Sequence, residues 1–203
     1  MKRTLLTLMV IVAGLSAIAP DTYAQSSSRK QERMDAWHRD MAEFRARSAH
    51  DREMAALADS IASVQARAAL QNQDFVLEAD NVTFKSGNTV FVNSTTNFIS
   101  VKGNRAVVQI SPSNFASGPN GVGGVTVDGM ISGQKVTTDK KGRITYSMNV
   151  MGIGINAQVE IYMSPGTNRA SATIYPNFNS NTIWVEGDIV PYENSNVFEG
   201  MSL

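Results

Sequence analysis

Cysteine is missing altogether from the 203 residues, and histidine occurs only twice. The first absence excludes a disulfide framework, a thiol nucleophile, an iron–sulfur cluster and an N-terminal lipidated Cys. A zinc site would have to be made from carboxylates and two imidazoles. Those imidazoles, His38 and His50, sit among charged neighbours. Twelve residues apart on one helix they would point about 120° apart, so they do not converge. An excess of either charge is missing too: 18 Lys plus Arg balance 18 Asp plus Glu. Such neutrality argues against the positive field that nucleic-acid binding uses, so no nucleic-acid partner is expected.

What is present begins with Lys2 and Arg3, followed by an uncharged, mainly apolar run from Thr4 to Ala19. The run is shorter than the roughly 20 residues that cross a bilayer, and its layout is that of a secretory signal. Thr22-Tyr23-Ala24 gives the small-residue cleavage form without the proline that would follow a cut after Ala19, so cleavage is expected between Ala24 and Gln25. An uncleaved N-terminal anchor is the alternative. The expected mature protein is periplasmic or extracellular, is not a lipoprotein, and has no membrane-spanning segment.

Beyond residue 24 the chain divides by charge density. Arg29 to Asp74 holds 16 charged residues in 46 and neither Gly nor Pro, whereas Phe75 to Leu203 holds 17 in 129. Residues 1–24 are therefore read as signal peptide, 25–74 as a charged helical lead and 75–203 as an antiparallel β domain. Met34, Trp37, Met41 and Phe44 recur at spacings of three, four and three, one stripe of an amphipathic helix. Met54, Leu57, Ile61, Val64 and Ala68 form a second. Between them Ser48 and Asp51 have capping-box spacing, which predicts a break or kink near Ser48. Packing on the protein's own sheet is the simplest use of these stripes, and self-association through Met34, Trp37, Met41 and Phe44 is the next; membrane-surface binding is disfavoured, because the polar face mixes acids with bases instead of concentrating Lys and Arg.

From Phe75 the period is two. Ile144, Tyr146, Met148 and Val150 form one apolar row; Ile155, Ala157, Val159, Ile161 and Met163 a second; Ala170, Ala172 and Ile174 a third; Ala106, Val108 and Ile110 a fourth. Gly103-Asn104, Lys141-Gly142 and Pro165-Gly166 mark tight turns that leave no room for crossover helices. Nine to eleven short antiparallel strands would curl into a β-barrel or split into a two-sheet β-sandwich. Met148, Met163, Phe98 and Ile161 would fill the interior, or it would be left partly open.

No catalytic constellation emerges. The Gly-rich segment Ala116 to Gly124 lacks the Lys-Ser/Thr ending and the following helix of a phosphate loop. No Gly-x-Ser-x-Gly nucleophile elbow occurs. Glu186 and Asp188 share a strand face, read as an exposed edge, without the further carboxylates of a calcium loop. Tyr162, Tyr175, Phe178 and Trp184 lack the interleaved Lys and Arg of a stacking platform. No catalytic, cofactor-binding or metal-binding residue is therefore assigned, and ligand-binding residues stay unknown. The function expected is a non-enzymatic envelope module that binds a small apolar ligand or a protein partner. The alternative is a hydrolase acting on envelope glycans through Glu160, Glu186 or Asp188.

The order of Phe75-Val76-Leu77-Glu78-Ala79, Phe98-Ile99-Ser100-Val101, Ala106 to Pro112, Gly123 to Gly129 and Trp184-Val185-Glu186-Gly187 resembles the exported Bacteroidetes family catalogued as domain of unknown function 4251. The resemblance spans roughly residues 55 to 200. It implies an envelope-associated β-rich domain after a helical lead and supplies no site residues. Many members grouped there carry a lipidated Cys after the signal, and this chain departs from them by having none.

Overall fold

The computed structural model describes residues 20–111, 124–153, 156–177 and 182–199. The body of the expected signal peptide, Ile155, Phe178 and all but the last residue of the Gly-rich segment lie outside them. The chain forms two units, residues 1–55 and 56–203. Helix α1 (Pro20–Asn72) contributes to both.

α1 has no break at Ser48, contrary to the expectation above. Residues 46–52, Ala-Arg-Ser-Ala-His-Asp-Arg, include no Gly or Pro, and Ser or His costs a helix only tenths of a kcal/mol per residue. Stopping and restarting would leave four N–H and four C=O groups orphaned and would need a second nucleus. Continuation is the cheaper path even with a capping pattern present.

In the second unit α1 packs by its small residues. Ser63, Ala66, Ala69 and Leu70 are buried, while Leu57, Ile61 and Val64 are 53–67% exposed and Ala68 is exposed as well. Leu57, Ile61, Val64 and Ala68 of the second apolar stripe thus face away from the strands. Ala66, Ala69 and Leu70 join the core cluster of the strands, Leu70 fully buried there. Gln73 ends the helix in the left-handed region at φ 58°, and its carbonyl accepts from Gly103 N at 2.8 Å.

The strands are β1 (Asp74–Phe84), β2 (Thr89–Phe91), β3 (Phe98–Lys102), β4 (Arg105–Ile110), β5 (Val125–Thr138), β6 (Ile144–Gly152), β7 (Asn156–Met163), β8 (Arg169–Pro176) and β9 (Ile183–Pro191). All pairs are antiparallel, in the order β2-β1-β3-β4-β5-β6-β7-β8-β9. β9 returns to β1, from Phe75 opposite Pro191 to Phe84 opposite Ile183. Eight strands therefore close a barrel, and β2 is an extra strand on the upper half of β1. Closure rules out the sandwich. It also corrects the reading of Glu186 and Asp188 as edge residues, because β9 has a neighbour on each side.

Bulges between Ala79 and Asn81 and between Ser132 and Lys135 supply the coiling that closure needs. Gly187 lies beside the first bulge, where a Cβ would come within 2.0 Å of the Glu78 carbonyl oxygen. No larger residue fits that approach.

An eight-stranded barrel is just wide enough for side chains to fill it. Phe75, Leu77, Ile99, Val101, Ile144, Tyr146, Met148, Ile161, Met163 and Ile189 do so, each at most 1% exposed, joined by Ala66, Ala69 and Leu70 of α1. Phe98, expected in that interior, instead packs outside the barrel with Val76 and Val107, beneath Val190, Tyr192 and Val197. Its register explains this: Ile99 faces inward, so its neighbour must face out.

Candidate functional site

Four places on the β domain concentrate polar chemistry or unmet valence. The first is the seam beside the upper end of β3, where the carboxyl-terminal segment crosses. Ser111 N donates to Asn97 Oδ1 at 2.7 Å, and Asn97 Nδ2 donates to the Ser111 carbonyl at 3.2 Å. This side-chain amide imitates a strand residue and extends the ladder by one rung. Gln109 Nε2 donates to the carbonyls of Thr96 and Phe198, both at 3.0 Å, which ties the carboxyl-terminal segment across β4. Phe198 N donates to the Thr95 carbonyl at 2.8 Å.

Under the same segment lies a shallow pocket of about 80 Å³ lined by Ser100, Lys102, Arg105, Val107, Tyr192 and Glu199. Its charges answer one another. Arg105 grips Asp128 through Nε at 2.8 Å and Nη2 at 2.6 Å and lies 3.7 Å from Glu199. Lys102 Nζ stands 4.4 Å from the centre of the Tyr192 ring. Burial, then the Glu199 charge, pushes the Tyr192 phenol above its ordinary range. The volume suits a few waters, far below the 300–1,000 Å³ of small-molecule sites.

The third cluster joins β1, β8 and β9 on the outer surface. Arg169 binds both carboxylate oxygens of Asp80, Nη2 to Oδ1 at 2.7 Å, and approaches Asp188 at 3.6 Å. The hydrogen bond from Arg169 is the largest influence on Asp80 and holds its carboxyl below the usual range. Glu160, on β7, accepts from Tyr162 Oη at 2.7 Å and Gln158 Nε2 at 3.1 Å. Glu160, Glu186 and Asp188 are thus all on the barrel's outside, Glu160 facing outward as its alternation predicts. Glu160 and Asp188 are occupied by neighbours. Tyr162, Tyr175 and Trp184 are 42–44% exposed on the same side. Among the described residues no three His, Asp or Glu side chains are grouped to hold a metal. His38 and His50 are both exposed on α1.

The fourth place is inside. Tyr146 stacks edge-on against Phe75 at 5.2 Å, and its hydroxyl is the one buried side-chain polar atom without a hydrogen-bond partner among the described residues. Desolvation pushes its pKa up to about 12. Alternation placed Tyr146 inward from sequence. The seam was missed, although Phe75-Val76-Leu77 and Ala106-Val107-Val108 are consecutive apolar runs, the mark of strands covered on both faces.

The chain thus carries a closed eight-stranded antiparallel β-barrel, its interior packed with side chains, following a long helix. The family described as Domain of unknown function (DUF4251) matches residues 59–189, and the chain belongs to it. A crystal structure of a DUF4251 family protein from Bacteroides eggerthii is similar, with 48% identity and a TM-score of 0.62, over 70% of this chain and 96% of that one. No curated protein matches the chain. Among the described residues no helix is long and apolar enough to cross a membrane.

Proposed function

We propose that this protein is an exported, non-catalytic interaction module of the cell envelope, one that works through its outer surfaces and binds a protein partner. The observation that carries this reading is the barrel interior, where side chains from every strand except β2 are at most 6% exposed. Void large enough for water would show as exposed area on those side chains, so a small apolar ligand has no room among them. Recognition then falls to the outside, and the carboxylates that a glycan hydrolase would need, Glu160 on β7 and Glu186 and Asp188 on β9, are spread over that outside. Export is supported by Lys2 and Arg3 ahead of the apolar run Thr4–Ala19, with Ala24–Gln25 as the cleavage point.

Native mass spectrometry on protein purified from the periplasm of its host tests both parts. The expected mass is that of a chain starting at Gln25 with nothing bound in the barrel. A stoichiometric lipid that survives purification would overturn the interaction reading in favour of a carrier, and a chain still starting at Met1 would overturn the cleavage.

A further inference from the structure

Residues 28–60 of α1 include not one buried side chain, yet they carry Met34, Trp37, Met41 and Phe44 on one stripe. Trp37 is 52% exposed and Phe44 64%. A helix draws most of its stability in a protein from burying its apolar face, and its intrinsic propensity alone leaves it marginal. A bulky aromatic and thioether stripe facing water is the half of an interface that a partner completes.

We infer that the partner is a second copy of this chain, and that the two copies pair through residues 34–44 as a parallel two-stranded coiled coil. The inference rests on the interaction-module reading and gives it a partner. Spacings of three, four and three place Met34 and Met41 at heptad positions a, and Trp37 and Phe44 at positions d. Identical stripes then form four layers. Flexible thioethers alternate with rings, and sulfur against an aromatic edge is a favourable contact.

Orientation follows from the charges that flank these layers. Position g holds Arg33 and Asp40; position e holds His38 and Arg45. In a parallel pair g faces the e that follows it on the other helix, so Asp40 meets Arg45 of the second copy twice by symmetry. In an antiparallel pair g faces g, which brings Asp40 against Asp40. Below the stripe the layers stop, because the next a and d positions are Ser48 and Asp51. Four layers make a short seam, so the pairing is concentration-dependent and of modest affinity.

Sedimentation equilibrium on the mature chain, from about 1 to 200 µM, reads the association directly. The expected result is a monomer–dimer equilibrium, shifted at least tenfold toward monomer by Phe44→Glu with the circular dichroism spectrum retained. In a Trp184→Phe background Trp37 is the sole indole, and its emission should move to the blue as dimer forms. Asp40→Arg should weaken the dimer, and adding Arg45→Asp should restore it. A chain that stays monomeric at about 200 µM overturns self-pairing, as does a dimer indifferent to Phe44→Glu. A dimer that Asp40→Arg strengthens overturns the parallel orientation. Monomeric protein that co-sediments with phosphatidylglycerol vesicles through Trp37 would mark the stripe as a lipid contact and refute the proposal. None of these results bears on whether the barrel carries a ligand, which the native mass measurement decides alone.

Discussion

Replacing Tyr146 by Phe should stabilise the protein, an uncommon direction for a core substitution. The hydroxyl is fully buried without a hydrogen-bond partner. Keeping an unpaired hydroxyl out of water costs about 1–3 kcal/mol, and removing one oxygen surrenders only a few dispersion contacts. The net expectation is a gain of about 1 kcal/mol, which for a unit of this size raises Tm by roughly 2–4 °C. A second signature comes with pH. Burial pushes the phenol's pKa up to about 12 from its ordinary 10.0. Between those values the unfolded chain gives up a proton that the folded one keeps, so stability falls as pH rises through that window. By pH 11 the loss is about 1.4 kcal/mol, one pH unit's worth of one proton. Tyr162 and Tyr192 are also pushed up, which makes the difference between parent and variant the quantity to measure. Urea denaturation at pH 7, 9, 10 and 11, followed by near-ultraviolet circular dichroism, should show the variant ahead at pH 7 and its lead widening above pH 10. If Tyr146→Phe instead destabilises by more than 1 kcal/mol at pH 7, the hydroxyl has a partner inside the barrel. The packed, dry interior on which the functional reading stands would then be wrong.

Two further substitutions probe the outer surface. Asn97→Ala removes both hydrogen bonds that the side chain makes with Ser111, so a loss of about 1–3 kcal/mol in chemical denaturation is expected; a loss below about 0.5 kcal/mol would mean that the seam needs no such rung. Arg169→Met breaks the pair with Asp80, but both groups are well exposed, so the cost at pH 7 should be only about 0.5 kcal/mol. Because Asp80 is held below the usual carboxylate range, the contribution is present above about pH 4 and is lost as pH falls further, and the two unfolding midpoints should converge on acidification. A gap unchanged in acid would show that the guanidinium acts by packing.

How much of this could be read beforehand depends on the range of each interaction. Alternation in Ile144-Tyr146-Met148-Val150 and in Ala170-Ala172-Ile174 is local, and every one of those residues faces inward. The turns at Gly103, Gly142 and Gly166 needed only the positive φ that glycine supplies. The choice of barrel over sandwich was out of reach, because it rests on β1 meeting β9 across more than a hundred residues. A pairing of that length leaves no local trace beyond strands that look alike. The seam lay between these extremes: Val76 and Val107 made apolar runs of neighbouring residues that alternation alone cannot explain, yet nothing said that the chain's own end would cover them.

The helix shows why periodicity can find a stripe and still misplace it. Met54, Leu57, Ile61 and Val64 are the larger apolar residues, and area alone would press them against the strands. What packs there is Ser63, Ala66 and Ala69, with Leu70 alone reaching deep. Burial gain scales with the area removed from water, yet the face that packs is the one that carries Leu70 into the core. Ser63, Ala66 and Ala69 share that packing. Arg67 reinforces it by donating to the Gly142 carbonyl at 3.2 Å, in the turn where a Cβ on Gly142 would stand 3.5 Å from Pro165. Once the small face is committed, the spacing of the large residues carries them around to water. Their exposure is thus a consequence of how the barrel end is packed, and it leaves α1 with apolar surface that the barrel does not use.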